Sequence, residues 1–198
     1  AKAMVSSYGP HFGEERPLVG TGGSGTIFLA HCNLCCVFCQ NSDISQMPKE
    51  QGRVMGQEMT LEAIVDEAIR TGCRSISYTY TEPTIFYEFA RDCSVLAREK
   101  GLKNVYVTNG FMTAEMLRDY HPYLDAANVD IKAFSEKFYS RVCGARLQPV
   151  LDSVRLMREL GIWVELTTLI NPGLNDGEDE LRQIARFIKE TDAVMPWH

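Results

Sequence analysis

From residue 60 onward the chain repeats one pattern, an apolar β-rich run followed by an amphipathic run of helical period, and this alternation restricts its fold most. Thr60 stands as an N-cap before a stripe of Leu61, Ile64, Val65, Ala68 and Ile69, and Gly72 stops that helix. A first strand is expected over 26–30, and further strands over 75–79, 104–108, 126–131 and 162–170. Helices are expected over 85–100, 112–120, 149–160 and 178–190, with a short one over 135–139 and a sixth strand beginning at 193–195. No hairpin signal joins consecutive strands, so repeated βαβ units and a parallel sheet follow, wound open or into a barrel. In either case ligands gather at the C-terminal strand ends.

The loop after the first strand reads Cys32-Asn33-Leu34-Cys35-Cys36-Val37-Phe38-Cys39-Gln40-Asn41. Thiolates at 32, 36 and 39 can hold three irons of a cubane cluster and leave the fourth open for chemistry. Cys35 complicates this, because C-x2-C-C-x2-C also allows a closed four-thiolate site for zinc or an all-cysteine cluster. Spacing leaves three ligands with a bystander, four ligands, and unligated thiols all open.

The 198 residues suit one domain with a core of its own, at 45% hydrophobic and 23% charged. Seven cysteines, more than half of them within eight residues, read as metal binding in a reducing compartment. With no apolar leader and no run long enough to span a bilayer, a cytoplasmic location is expected. A net charge of −6 with scattered Lys and Arg gives no footprint for nucleic acid or an anionic membrane.

Residues 1–25 show no periodicity and read as an irregular lead-in, with 26–198 as one core domain. Gly20-Thr21-Gly22-Gly23-Ser24-Gly25 matches G-x-G-x-x-G by letter, but the glycines precede a strand instead of opening a helix, so a turn is expected. His11, His31 and His121 lack ligand spacing and are taken as structural, and Cys73, Cys93 and Cys143 as small core residues. Glu165 shares a strand face with Thr167, which points either at the cavity or outward.

The expected strand ends carry Tyr80-Thr81-Glu82-Pro83, Thr108-Asn109-Gly110, Asp130-Ile131-Lys132 and Pro196-Trp197-His198. Singly, these are turn chemistry or a surface ion pair. Together they place Glu82, Asn109, Asp130 and Lys132 on the rim of the cysteine loop. Glu82 would suit an ammonium, Lys132 a carboxylate, and Asn109 and Asp130 ribose hydroxyls, a set that describes S-adenosylmethionine.

The cysteine loop resembles the C-x3-C-x-Φ-C loop of radical S-adenosylmethionine enzymes, with Phe38 as the aromatic residue. Tyr78–Thr84, Val107–Gly110, Asn128–Lys132 and Pro196–His198 are similar to the pyruvate formate-lyase activating enzyme-like branch, above all to the radical enzyme of the AmmeMemoRadiSam system. The resemblance, over residues 24–198, implies an α/β fold, a partial (β/α)6 barrel of parallel strands ending at the sixth, with a [4Fe-4S] cluster and S-adenosylmethionine as cofactors. It carries over Cys32, Cys36 and Cys39 as cluster ligands, and Phe38, Cys39 and Gln40 along the adenine. Thr81 and Glu82 stand where the branch has Gly-Gly-Glu at the methionyl ammonium, Asp130 and Lys132 match ribose and carboxylate contacts, and His198 matches a histidine near the ribose.

Three departures accompany it. Tyr80-Thr81 replaces Gly-Gly, Cys35 stands where a basic residue is common, and relatives continue beyond the sixth strand, so either this is a piece or the barrel closes with less. The implied activity is reductive cleavage of S-adenosylmethionine to a 5′-deoxyadenosyl radical that abstracts hydrogen. A glycyl-radical-enzyme activase of the pyruvate formate-lyase type and a related AmmeMemoRadiSam enzyme are the expected forms, with a protein as candidate substrate. Cluster potentials span about −700 to +450 mV and this task needs the low end, so a flavodoxin- or ferredoxin-type donor is expected. The alternative is a non-catalytic module that uses all four cysteines for metal binding or electron transfer.

Overall fold

A computed structural model describes residues 4–12, 16–19, 21–54 and 56–198. Gly20 of the glycine tract and the outermost part of the lead-in, residues 1–3 and 13–15, lie outside the described residues. Seven strands form one sheet in the order β3-β1-β2-β4-β5-β6-β7. They are β1 (Met4–His11), β2 (Ser24–Leu29), β3 (Gln57–Glu58), β4 (Ser75–Thr79), β5 (Lys103–Thr108), β6 (Ala126–Asp130) and β7 (Trp163–Thr167).

From β2 to β7 every neighbouring pair is parallel. A single parallel bridge from Trp197 to Leu166 marks the next position, completing the outline of a partial (β/α) barrel. The helices α1 (Leu61–Arg70), α2 (Tyr87–Glu99), α3 (Ala114–Tyr120), α4 (Leu147–Glu159) and α5 (Glu178–Asp192) link or follow these strands. Both sheet faces are covered, which is why β4 is buried at every position.

The helices begin where short polar side chains can cap them. Thr60 Oγ1 accepts from Ala63 N at 3.2 Å, and Thr113 Oγ1 from Met116 N at 3.2 Å. Ile64, Val65 and Ala68 of α1 reach the core, as do Val150, Val154 and Met157 of α4. Between sheet and helices, Tyr106 lies 4.8 Å from Tyr120 and 5.8 Å from Tyr78, centroid to centroid. Gly25 sits in β2, where a Cβ would come within 3.0 Å of Ala68, so the missing side chain lets α1 close on the sheet. The glycine tract is therefore an approach to a strand, as expected.

Several expectations are corrected. The lead-in is not irregular throughout, because Met4–His11 pairs antiparallel with β2 on one side and β3 on the other. Ile69 belongs to the helical stripe by period but is 46% exposed, since α1 turns that flank to solvent. Residues 193–195 form no strand: α5 runs to Asp192, Ala193 and Val194 turn, and the sixth position is reached only at Trp197. The short helix Glu136–Phe138 continues as a π-helical turn, Tyr139–Cys143. Among the described residues no helix is long and apolar enough to cross a membrane.

Candidate active site

The chain leaves β2 into the cysteine loop, and main-chain hydrogen bonds hold that loop from behind. Cys35 N donates to Cys143 O at 2.9 Å and Val37 N to Val142 O at 3.0 Å, so the π-helical turn serves as its backing. Leu34 is buried, while its carbonyl accepts from Lys49 Nζ at 3.0 Å and Gln46 Nε2 at 3.2 Å. Cys39 N closes a turn onto Cys36 O at 3.1 Å.

This folding sorts the thiols. Cys32, Cys36 and Cys39 line one cavity of about 440 Å³ at the C-terminal strand ends, whereas Cys35 is exposed, with its sulfur 3.0 Å from Lys49 Nζ. Among the described residues no three His, Cys, Asp or Glu side chains gather as one metal ion requires. A cubane asks for something different, one thiolate at each of three corners around a shared body. Three cavity-facing thiols with the fourth turned away fit that group and do not fit a closed four-cysteine site.

Burial pushes the Cys32 thiol up to about 12, against the Leu34 N–H that donates to its sulfur. Cys36 is raised as well, first by its contact with the buried thiol of Cys143 and then by burial. Buried thiols hold their protons until a metal replaces them. Cys143, taken from sequence as a plain core residue, thus packs behind a cavity cysteine. Only the π-helical turn brings it there, and no spacing signal marks it.

The same cavity is lined by Phe38, Gln40, Thr81, Asn109, Asp130, Lys132 and His198. Asp130 Oδ2 and Lys132 Nζ are 2.7 Å apart. Burial works against the Lys132 ammonium, yet the Asp130 carboxylate holds its pKa above the ordinary value. Lys132 is pinned at its main chain too, its N–H donating to Tyr139 Oη at 3.1 Å and its carbonyl accepting from Asn175 Nδ2 at 2.7 Å. Phe38 packs on Phe138 with centroids 5.8 Å apart. Thr81 spends its hydroxyl on the carbonyl of His31, joining the ends of β4 and β2.

Two sequence assignments change. Glu82 does not line the cavity: it is fully buried, with Oε1 accepting from Thr84 N at 3.0 Å, Thr84 Oγ1, and Thr108 Oγ1 at 2.7 Å. Its Oε2 accepts from Asn109 N at 2.8 Å. With those donors satisfied it clamps β4 to β5 and presents no surface to an ammonium. Asn109 lines the cavity, but its carboxamide faces the cysteine loop, with Nδ2 at 2.7 Å from Asn33 Oδ1 and 3.7 Å from Cys32 Sγ, so it is not directed at a ribose hydroxyl.

The barrel also brings in Asn128 and the wall after β7, which sequence reasoning missed, and settles the face shared by Glu165 and Thr167. Asn128 and Thr167 line the cavity and bond each other at 2.8 Å. Thr168, Leu169 and Ile170 form the wall after β7. Glu165 resolves to the inward side, fully buried, with Oε1 accepting from Trp163 Nε1 at 2.8 Å and Oε2 lying 3.1 Å from His198 Nε2.

Comparison with known proteins agrees with this arrangement. Residues 26–188 match the Radical SAM superfamily. The chain is 47% identical over 165 residues to an uncharacterized protein of Methanocaldococcus jannaschii, covering 83% of this chain and 48% of that one. It therefore spans about half the length of that relative. It is 23% identical over 190 residues to the pyruvate formate-lyase-activating enzyme of Clostridium pasteurianum, covering 90% of this chain and 77% of the other. Among solved structures, Streptococcus suis SuiB bound to precursor peptide SuiA superposes with a TM-score of 0.65 at 16% identity, over 84% of this chain and 36% of SuiB. The superfamily's cofactors, a [4Fe-4S] cluster and S-adenosylmethionine, suit a cavity that gathers Cys32, Cys36 and Cys39 on one side and Asp130, Lys132 and His198 on the other. With more than half its length matched, the chain belongs to the Radical SAM superfamily of enzymes.

Proposed function

We propose that this chain reductively cleaves S-adenosylmethionine for hydrogen abstraction, acting as a glycyl-radical-enzyme activase of the pyruvate formate-lyase type or as a related AmmeMemoRadiSam enzyme. One observation carries the reading: the three cysteines of the C-x3-C-x2-C spacing share a cavity with the Asp130–Lys132 pair, and Cys35 does not. Similarity to the pyruvate formate-lyase-activating enzyme of Clostridium pasteurianum supports the activase form. SuiB, which shares this fold over 36% of its length, was solved bound to precursor peptide SuiA, which supports a polypeptide as candidate substrate.

In this reading Cys32, Cys36 and Cys39 hold the cluster. When bound, the cluster and S-adenosylmethionine supply one-electron cleavage of the sulfonium to methionine and a 5′-deoxyadenosyl radical. Lys132, kept charged by Asp130, takes the methionyl carboxylate, and its main-chain anchors fix where the ammonium points. Phe38 and Gln40 border the adenine. His198, oriented by Glu165, faces the ribose. With Glu82 committed elsewhere, the segment at 80 and 81 that Thr81 ties to His31 borders the methionyl ammonium. Leu169 and Ile170, half-exposed at the rim, limit water and meet the substrate. The electron comes from a low-potential donor of flavodoxin or ferredoxin type.

The test is anaerobic reconstitution followed by reduction with dithionite. 5′-Deoxyadenosine is expected only when iron, sulfide, reductant and S-adenosylmethionine are all present. A protein that binds zinc through four cysteines and releases none under any condition would replace this reading with the non-catalytic module.

A further inference from the structure

Asn109 stands at the end of β5, on the wall opposite the cysteine loop, and its carboxamide has a single allowed orientation. Its Oδ1 accepts from Phe111 N at 2.9 Å, and its Nδ2 donates to Asn33 Oδ1 at 2.7 Å. Asn33 Nδ2 in turn donates to Phe111 O at 3.0 Å, which fixes the acceptor end of Asn33 toward Asn109. Turning the Asn109 amide over would set oxygen against oxygen at Asn33 and N–H against N–H at Phe111. The second Nδ2 hydrogen has Cys32 Sγ within reach as an acceptor, at 3.7 Å, while the protonated Cys32 thiol itself donates to Asn33 Oδ1 at 3.7 Å. Cys32 also accepts from Leu34 N at 3.4 Å, whereas Cys39 meets a hydroxyl, Ser45 Oγ, at 3.3 Å.

We propose that Asn109 is a positioning and tuning residue, whose side-chain N–H donates to the Cys32 thiolate and raises the reduction potential of the metal centre that Cys32 holds. The proposal rests on the reading of Cys32 as a cluster ligand. An N–H directed at a ligating sulfur withdraws electron density from it, so the sulfur donates less to iron and the reduced state is favoured. Glu82 completes the device from beneath: fully buried, it accepts the Asn109 main-chain N–H at 2.8 Å and holds the end of β5 to the segment after β4.

The experiment compares reconstituted wild-type protein with Asn109→Leu, which keeps the volume but has no donor. An EPR-monitored redox titration gives the midpoint potential, and pulsed EPR in H2O and D2O counts exchangeable protons coupled to the cluster. The variant is expected to show a more negative midpoint and to lose one exchangeable coupling, with the Leu34 coupling retained. A fully loaded variant with wild-type midpoint and couplings would overturn the proposal. If Asn109→Leu does not load, Asn109→Asp, which keeps the acceptor for Phe111 N, undergoes the same two measurements. Failure of both variants to load while remaining folded would make Asn109 a loop anchor only and also overturn it. If wild-type protein itself takes up no four-iron cluster, the functional reading falls instead.

Discussion

Glu165 Oε2 lies 3.1 Å from His198 Nε2, and this contact ties the middle of β7 to the position beyond the parallel bridge. The carboxylate has no exposed surface, and the Trp163 indole occupies its other oxygen, so its position is fixed before the histidine meets it. Glu165→Ala is expected to raise KM for S-adenosylmethionine about fivefold with kcat little changed, as for loss of one orienting hydrogen bond near 1 kcal/mol. Glu165→Gln keeps an acceptor and should recover most of that loss. Steady-state 5′-deoxyadenosine formation reads both constants. An equal fall in kcat for the two variants would contradict the assigned role.

Cys35 and Cys36 are neighbours with opposite fates. Cys35→Ala is expected to keep the wild-type iron content and visible absorption, because its thiol meets Lys49 on the outside of the loop. Cys36→Ala should lose the cluster, since its thiol faces the cavity. Iron and sulfide analysis after anaerobic reconstitution separates the two. Loss of iron in Cys35→Ala would restore the four-cysteine module.

Burial raises the Glu82 carboxyl above its ordinary range even though Thr84, Asn109 and Thr108 donate to it. A carboxyl whose pKa is higher in the folded state binds more protons folded than unfolded. Its contribution to stability is thus complete below the unfolded value, about 4.3, and is lost as pH rises through the folded one. Urea unfolding from about pH 4 upward should show this contribution fading, so that stability falls more, or rises less, with pH in the wild type than in Glu82→Gln. Parallel slopes would show that Glu82 does not titrate there.

Tyr106 Oη is buried without a hydrogen-bond partner among the described residues, while its ring packs on Tyr78 and Tyr120. Tyr106→Phe removes the stranded hydroxyl and keeps the ring contacts, so stability should be unchanged or higher by up to about 1 kcal/mol. Chemical denaturation measures it. A loss above about 1 kcal/mol would reveal a partner for the hydroxyl.

Periodicity and capping make most of the barrel legible in the amino-acid sequence. Thr60 caps as its position suggests, and Gly72 and Gly161 follow helix ends in the left-handed region that glycine favours, whereas Thr113, inside the expected helix 112–120, turns out to be its cap. β1 is not legible, because its burial does not alternate and Ser6, Ser7, Gly9 and Pro10 break up any apolar run. In the site, the strand ends bring out the Asp130–Lys132 pair, whereas spacing alone leaves open which of the loop cysteines act together. The commitments of Glu82 and Asn109 cannot be read from either, since they depend on how far β4, β5 and the cysteine loop stand from one another. Cys143 is hidden for a related reason: the π-helical turn shifts register by a residue, which an α-helical pattern does not anticipate.

That turn grips the cysteine loop through the amides of Cys35 and Val37, both of which are exposed. Peptide groups are common to nearly all residue types, so these two positions are free to vary while the sulfur between them stays in register. The outward character of the loop, and with it whatever docks there, is thereby uncoupled from the geometry it maintains on its inner side.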